Sequence, residues 1–167
     1  SSAEYYADDP ALTRDSAPST PQRAVRLIQE TVDPSTMFTL DAGNNRVWMA
    51  HMYQSQQRNT FFVPGGLAGM GWAFPAALAV KLVHRDRPVV AVSGDGGFMM
   101  NVQEMETAAR LKLPIVAMIW EDHMYGLIAW KQTNQFGRHT ELSFTNPDFV
   151  MLAEAFGWVG RRVERSR

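Results

Sequence analysis

Short apolar runs alternate with longer segments of helical periodicity along this chain, and that alternation constrains the fold more than any other feature. The apolar runs Met37–Leu40, Val89–Val92 and Ile115–Trp120 are of the kind that fills a sheet covered on both faces. Helical patterns of about ten residues or more separate them. This order is typical of βαβ units, so the sequence predicts an α/β fold, a doubly wound, mostly parallel sheet with helices on both faces.

The remaining elements follow from local signals. Pro21 suits the first position of a helix, with Thr20 as its N-cap. Two further strands are expected at Phe61–Val63 and Trp158–Val163. Helices are expected over 46–53, 69–84, 102–111, 123–130 and 148–156, with a break at 94–97 and an extended loop over 132–146. The polar, proline-containing residues 1–21 predict a linker or tail, which leaves a domain over 22–167.

Composition excludes several classes of protein. The 167 residues suit one domain, and 16 basic against 17 acidic residues rule out a strongly basic nucleic-acid binder. The chain has no cysteine, so it has no disulfide, no thiolate nucleophile and no Cys-based metal site; a cytoplasmic location is expected. No apolar run reaches the roughly 18 residues of a membrane span, and the polar, acidic N-terminus does not resemble a signal peptide.

Two carboxylates stand out by position, because each directly follows a predicted strand. Asp95 and Asp122 would reach one crevice if their strands are neighbours, since parallel strands present ligand sites at their carboxyl ends. Gly94, Gly96 and Gly97 would let backbone N–H groups approach an anion. A carboxylate pair repels phosphate unless Mg²⁺ bridges the two. The alternative is that one Asp only occupies a turn and the other only caps a helix.

Two further polar or glycine-rich turns follow predicted strands. Residues 65–71, GGLAGMG, allow a tight strand-to-helix turn but lack the dinucleotide-binding pattern of glycines. Gly43, Asn44 and Asn45 could donate to a phosphate, although they are also ordinary turn residues. Neither turn identifies a ligand by itself.

The motifs resemble those of a known family. Residues 94–126, GDGGFMMNVQEMETAARLKLPIVAMIWEDHMYG, are similar to the thiamine diphosphate-binding signature, which opens with Gly-Asp-Gly and ends some 27 residues later at a metal-binding Asn or Asp. Residues 65–80, GGLAGMGWAFPAALAV, resemble the companion segment of acetolactate synthases and their relatives. The resemblance extends over about residues 20–163. It identifies the chain as similar to the C-terminal pyrophosphate-binding domain of an acetolactate synthase-like enzyme.

The resemblance implies a binding site for thiamine diphosphate and Mg²⁺. Asp95 and Asp122 match the metal-binding carboxylates, and Met124 matches the residue whose carbonyl completes the protein ligands. Many relatives carry Asn in place of Asp122. The Trp-x-Asp form found here looks like the catabolic, FAD-independent acetolactate synthases. The positions that match cofactor contacts are Asn44, Asn45, Ala68, Met70, Gly94, Asp95, Gly96, Gly97, Asp122, Met124, Tyr125, Gly126 and Leu127.

Within that set, the resemblance gives Met70 the catalytic role. It matches the apolar residue that keeps the cofactor bent, and Ala68 matches the carbonyl that accepts from the cofactor's amino group. Asn44 and Asn45 depart from the Gln-His pair of many relatives. Lys131 departs from the residues that shape the acceptor pocket, often Trp or Gln.

The implied enzyme decarboxylates pyruvate and passes the two-carbon unit to a second 2-oxo acid. The resemblance also implies that an activating Glu comes from a pyrimidine-binding domain of a partner subunit, within a homo-oligomer. The 167-residue chain alone is then expected to be inactive. Two alternatives remain open: another thiamine diphosphate-dependent decarboxylase, lyase or acetyltransferase, and a non-catalytic cofactor-binding module.

Overall fold

A parallel β-sheet forms the centre of the computed structural model, which describes residues 9–164. Residues 1–8 of the predicted linker and residues 165–167 of the predicted domain lie outside this range. Within it, the sheet has four strands in the order β2-β1-β3-β4, and all neighbouring pairs are parallel. The strands are β1 (Met37–Leu40), β2 (Phe61–Phe62), β3 (Val89–Gly94) and β4 (Val116–Trp120). The predicted α/β sheet is thus confirmed.

Helices connect the strands. They are α1 (Pro21–Thr31), α2 (Asn44–Met52), α3 (Ala73–Val83), α4 (Asp95–Met99), α5 (Glu104–Arg110), α6 (Gly126–Phe136) and α7 (Phe149–Ala155). Thr20 caps α1 as predicted, because its hydroxyl accepts a hydrogen bond from the Arg23 backbone N–H at 3.3 Å. Residues 10–12 of the predicted linker form a single 3₁₀ turn, and the Thr20 hydroxyl also donates to the Ala11 carbonyl. None of the described helices is long and apolar enough to cross a membrane.

Alternation along the strands divides the core into two layers. Met37, Val89 and Ala91 pack into one cluster with Phe74, from α3, and other buried residues. The intervening strand residues, including Phe38 and Val92, pack into a second cluster with residues of α1 and α2. Successive strand side chains point to opposite faces, so this split means that helices cover both faces of the sheet.

The strand order places a switch point between β1 and β3. From β1 the chain moves outward to β2, then returns past β1 to β3 and continues to β4 on the other side. Loops at the carboxyl ends of β1 and β3 therefore diverge to opposite faces and leave a crevice between them. Open α/β sheets bind their ligands at such points.

The predicted strand at Trp158–Val163 is wrong. The segment pairs with no strand among residues 9–164 and has no regular structure there. Gly160 instead packs against α7, where an added Cβ would lie 2.8 Å from the Val150 Cα. The Trp158 indole N–H donates to the Met105 carbonyl of α5 at 3.2 Å. Alternating apolar residues suit a strand, but a strand also needs a neighbouring strand for its backbone hydrogen bonds. Here the segment packs against helices α5 and α7 instead.

Several predicted boundaries also need correction. The helix expected over 69–84 begins at Ala73, because residues 70–72 form a turn in which Gly71 has a φ of +79°. Of the break expected at 94–97, Gly94 ends β3 and the other three residues lie in the short helix α4. The helix expected at 123–130 begins at Gly126 and continues to Phe136, inside the loop expected over 132–146.

Candidate functional site

Asp95 lies at the centre of a hydrogen-bond cluster at the carboxyl end of β3. It is 1% exposed, and four donors reach its carboxylate. Oδ1 accepts from the Gly96 N–H at 2.8 Å. Oδ2 accepts from the N–H groups of Asp122 and His123 at 3.1 and 2.8 Å, and from the Asn146 side-chain amide at 2.7 Å. The side chain is therefore held rigidly, and its less crowded oxygen is Oδ1.

The register of the sheet brings Asp122 beside Asp95. Gly94 pairs with Trp120, so the chain leaves β3 and β4 at the same level and the two aspartates follow within two residues. Asp122 Oδ1 accepts from the Met124 N–H at 3.3 Å. Partial desolvation, and then the neighbouring Asp95 carboxylate, raise the pKa of Asp122 above its ordinary value. The Asp122 N–H also donates to the Asp95 carboxylate, so the two acidic residues are immediate neighbours, and a cation would stabilise such a pair.

A later segment closes this edge. Met124 and Ser143 form an isolated antiparallel bridge, supported by hydrogen bonds from the Tyr125 N–H to the Leu142 carbonyl and from the Phe144 N–H to the His123 carbonyl. His123 has a φ of +58°, a conformation that non-glycine residues rarely adopt. The pairing holds that conformation, in which the His123 N–H points at Asp95. Strain of this kind occurs most often at functional sites.

The glycines at this edge are required by close neighbours. A Cβ at Gly96 would lie 2.8 Å from the Tyr125 ring and 3.1 Å from the Phe144 ring. A Cβ at Gly126 would meet Oδ2 of Asp122. It would also lie 2.8 Å from the side-chain amide nitrogen of Asn44, so Asn44 faces the same spot as Asp122. Leu127 follows Gly126 in the first turn of α6.

The two asparagines at the start of α2 differ in what they contact. Asn44 faces the Asp122 side, whereas Asn45 is 3% exposed and turns toward the sheet. The Asn45 side-chain amide donates to the Asp41 and Val92 carbonyls, at 3.3 and 3.1 Å. Both of its donors are thus used inside the protein, and they join the ends of β1 and β3.

Asp41 is a site residue that sequence reasoning missed. It follows β1, is completely buried, and accepts hydrogen bonds from the backbone N–H groups of Ala42, Gly71 and Trp72, at 3.0, 2.8 and 3.1 Å. Burial raises the pKa of its carboxyl above the ordinary value, and the hydrogen bonds oppose that shift. In the sequence Asp41 is one residue of an ordinary turn that ends a strand. The only sequence signal for a role at the site was its position directly after a strand.

Met70 and Ala68 lie in a separate loop, between β2 and α3. Ala68 has a φ of +53°, and Met70 is half-buried beside an open cleft of about 360 Å³ lined also by Gly71, Trp72 and Asn101. This loop meets the Asp95 region through Asp41, whose carboxylate also contacts the position where Gly97 would carry a Cβ. The predicted residues therefore form two groups, one around Asp95 and Asp122 and one around Met70.

The chemistry of the first group is that of a cation and anion site. Among residues 9–164, no three His, Cys, Asp or Glu side chains lie together as metal ligands. Two carboxylates would therefore need oxygens from the backbone and from a ligand to complete a divalent-cation shell. Asn146, which sequence reasoning also missed, holds Asp95, and its own side-chain oxygen is buried without a partner.

An open parallel sheet with paired carboxylates at the ends of β3 and β4, next to its switch point, defines an α/β domain of the ligand-binding doubly wound class. Comparison with known families then gives the particular one. A family model described as "Thiamine pyrophosphate enzyme, C-terminal TPP binding domain" matches residues 41–167, and the chain belongs to that family. The resemblance seen in the sequence is confirmed.

Relatives of known description agree with this assignment. The chain is 36% identical over 162 residues to a probable acetolactate synthase large subunit of Methanococcus aeolicus, covering 93% of this chain and 27% of that protein. It is 38% identical over 144 residues to an acetolactate synthase of Bacillus subtilis, covering 86% and 25%. The chain thus spans about a quarter of the length of these relatives.

A solved structure shares the fold. It is the thiamine diphosphate-dependent 4-hydroxybenzoylformate decarboxylase of Rhodococcus jostii RHA1, which superposes with a TM-score of 0.81. The match covers 89% of this chain and 28% of that one, at 23% identity. At this identity the likeness supports the architecture alone.

Proposed function

We propose that this chain forms the diphosphate-binding half of the active site of an acetolactate synthase-like enzyme. The observation that carries the proposal is the contact between Asp95 and Asp122 at the carboxyl ends of adjacent strands. Side-by-side carboxylates are costly without a cation, and the family binds a diphosphate, which would supply further oxygen ligands.

The residues present fit that role. Asp95 Oδ1 and Asp122 Oδ2 each keep lone pairs that the protein does not use, and they would bind Mg²⁺ together with the Met124 carbonyl. The Asn44 amide, beside Gly126, would donate to the diphosphate. Gly94, Gly96, Gly97, Tyr125 and Leu127 complete the proposed contact set. Asn45 would act by fixing this edge, because its donors are already engaged.

Thiamine diphosphate, when bound, supplies the carbanion-stabilising chemistry of the reaction. In this proposal Met70 and Ala68 serve the other end of the cofactor. Met70 would support it in a bent conformation, and the Ala68 carbonyl would accept from its amino group. Mg²⁺ anchors the diphosphate and takes no part in bond making.

For the whole enzyme we propose pyruvate and a second 2-oxo acid as substrates. Support comes from the acetolactate synthases at 36–38% identity. A pyrimidine-binding domain of a partner subunit would supply the activating Glu, in a cytoplasmic homo-oligomer. A product assay on the full-length enzyme tests this, with pyruvate alone and with added acceptors. Acetolactate is the expected product, and an aldehyde as the sole product would redirect the assignment to a simple decarboxylase.

Calorimetric titration of the 167-residue chain with thiamine diphosphate tests the half-site itself. Weak binding is expected with Mg²⁺ and none with chelator, because the carboxylate pair repels the diphosphate when no cation is present. Magnesium-independent binding would contradict the proposed metal role. The same chain is expected to consume no pyruvate with cofactor and Mg²⁺ at saturation, and clear chelator-sensitive turnover would show a complete active site within it.

A further inference from the structure

The proposed cofactor and metal sites do not include Asp41, and its contacts have no role in either. It is the only residue among 9–164 whose carboxylate reaches the turn directly after Met70. Oδ2 accepts from the Gly71 N–H at 2.8 Å, and Oδ1 accepts from the Trp72 and Ala42 N–H groups at 3.1 and 3.0 Å. Hydrogen bonds to a buried, charged acceptor are among the stronger ones in proteins.

The carboxylate is itself held in place. The Asp41 backbone N–H donates to the Val92 carbonyl at 2.9 Å, which ties the residue to β3. On the far side, Gly97 packs so closely that an added Cβ would overlap Asp41 Oδ2. Asp41 therefore occupies the gap between the Asp95–Gly97 helical turn and the turn at residues 70–72, and it contacts both.

The turn at 70–72 is also held from its other side. The Asn101 side-chain amide donates to the Gly71 carbonyl at 2.7 Å. Gly71 has a φ of +79°, and a Cβ there would lie 2.9 Å from the Met100 Cβ. A backbone this constrained has little freedom, and the residue that precedes it, Met70, takes its position from the same clamp.

We infer that Asp41 is a positioning residue, whose buried carboxylate fixes Met70 relative to the Asp95 site. The inference deepens the proposed function and rests on it for the meaning of Met70, although the clamp itself does not depend on any cofactor. Asp41 would touch neither metal nor substrate. It sets the distance between the part of the chain that anchors the diphosphate and the part that supports the other end of the cofactor.

Asp41→Asn tests the clamp with almost no change in volume. In either orientation of the amide, a donor replaces one acceptor, so Gly71 or Trp72 loses its hydrogen bond. Amide hydrogen exchange by NMR on the full 167-residue chain should become about tenfold faster, or more, at one of those two residues. Thr60→Val is the matched control. It removes a buried hydroxyl that donates to the Gln57 carbonyl and leaves the turn alone.

The second readout is the Met70 side-chain methyl resonance, followed while thiamine diphosphate and Mg²⁺ are added. We expect the Met70 methyl resonance to shift in the wild type and in Thr60→Val, and to shift less in Asp41→Asn. The dissociation constant of Asp41→Asn for thiamine diphosphate should stay within about threefold of the wild-type value. Unchanged exchange at Gly71 and Trp72 in Asp41→Asn overturns the inference. Equally faster exchange at Gly71 or Trp72 in Thr60→Val also overturns the inference, because the faster exchange would then reflect a general loss of stability.

A second variant keeps the inference testable if the Asp41→Asn chain does not fold. Gly97→Ala places a methyl group against Asp41 Oδ2 and meets the Gly71 backbone only at an ordinary 3.7 Å. Faster exchange at Gly71 is expected, and wild-type exchange there overturns the inference. If the wild type itself fails to bind thiamine diphosphate, the proposed function fails, while the exchange rates still decide the role of Asp41 in the clamp.

Discussion

Two glycine-rich regions of this chain look alike in sequence and differ in the structure. The packed turns, defined as Gly94–Gly97 and Gly126, contain glycines whose missing Cβ atoms leave room for the Asp41, Asp122 and Tyr125 side chains. In the open loop, defined as residues 65–69, an added Cβ at Gly65, Gly66 or Gly69 would meet nothing within 4 Å. Glycine is a steric requirement at Gly96, Gly97 and Gly126 of the first region. In the second it gives only conformational freedom.

The difference indicates how the two regions would work. The packed turns leave little free space around their glycines, as expected for the preorganised site that we propose there. The open loop has a free surface, with Leu67 fully exposed, and Asp41 and Asn101 hold the turn that follows it. Substitutions should therefore have large effects in the packed turns and small ones in the open loop.

The largest effect is expected at Asp122. Asp122→Ala should abolish Mg²⁺-dependent binding of thiamine diphosphate to the full-length enzyme, because it removes a carboxylate ligand opposite a charged diphosphate. Calorimetry with and without Mg²⁺ is the measurement. Asp122→Asn is the matched control and should retain weaker binding, since an amide oxygen can still coordinate. Undiminished affinity in the Ala variant would contradict the site assignment.

Gly97→Ala should give the next largest effect, on stability. The added methyl group meets the Asp41 carboxylate, which cannot move away because three N–H groups hold it. We expect a loss of about 1–3 kcal/mol in the free energy of unfolding, measured by urea denaturation. When Asp41→Ala is combined with Gly97→Ala, the double variant should lose less unfolding free energy than the sum of the two single losses. Additive losses would mean that the clash lies elsewhere.

Met70→Ala, beside the open loop, should separate binding from activation in the full-length enzyme. Diphosphate and Mg²⁺ affinity should stay near the wild-type value, because the proposed anchor lies in the packed turns. Hydrogen–deuterium exchange at C2 of the bound cofactor should slow, since the substitution shortens the side chain that we propose as the support for its bent conformation. NMR follows that exchange, and an unchanged rate would make Met70 an ordinary packing residue.

Gly66→Ala tests the open loop directly and should change very little. The backbone there is not in the left-handed region and the space is free, so the unfolding free energy should stay the same or rise by up to about 1 kcal/mol. Urea denaturation measures it beside Gly97→Ala. A loss as large as that of Gly97→Ala would remove the distinction between the two regions.

The smallest effect lies outside both regions and provides a pH reference. Asp148 caps α7, and hydrogen bonds from the Met151 and Val150 N–H groups lower the pKa of its carboxyl. Its folded-state pKa thus lies below the unfolded value, so its contribution to stability is present above that value and is lost as pH falls through the folded pKa. The stability difference between wild type and Asp148→Ala should shrink below about pH 3.8, as thermal unfolding would show. A difference that does not vary with pH would contradict this role of the charge.

The sequence was sufficient for the sheet and for the aspartate pair. Apolar runs at Met37–Leu40 and Val89–Val92 have the length and the flanking turn residues that are typical of a buried strand between helices. Because neighbouring parallel strands end at one edge, two residues following two strands are brought together by register alone. Asp95 and Asp122 could therefore be paired from the sequence on the condition that their strands are neighbours. The structure meets that condition, and the Asp122 N–H donates to the Asp95 carboxylate at 3.1 Å.

Other features were decided by the tertiary structure. Asn146 reaches Asp95 across 51 residues and Asp41 reaches the Gly71 turn across 30, with no periodic signal for either. Trp158–Val163 carries a strand pattern, yet helices take up its contacts. Local sequence sets period and turn propensity, because these depend on neighbouring residues. Packing between the layers decides which distant carboxylate meets which backbone N–H. It also decides which glycine must lack a Cβ, and this packing forms only when the whole chain folds.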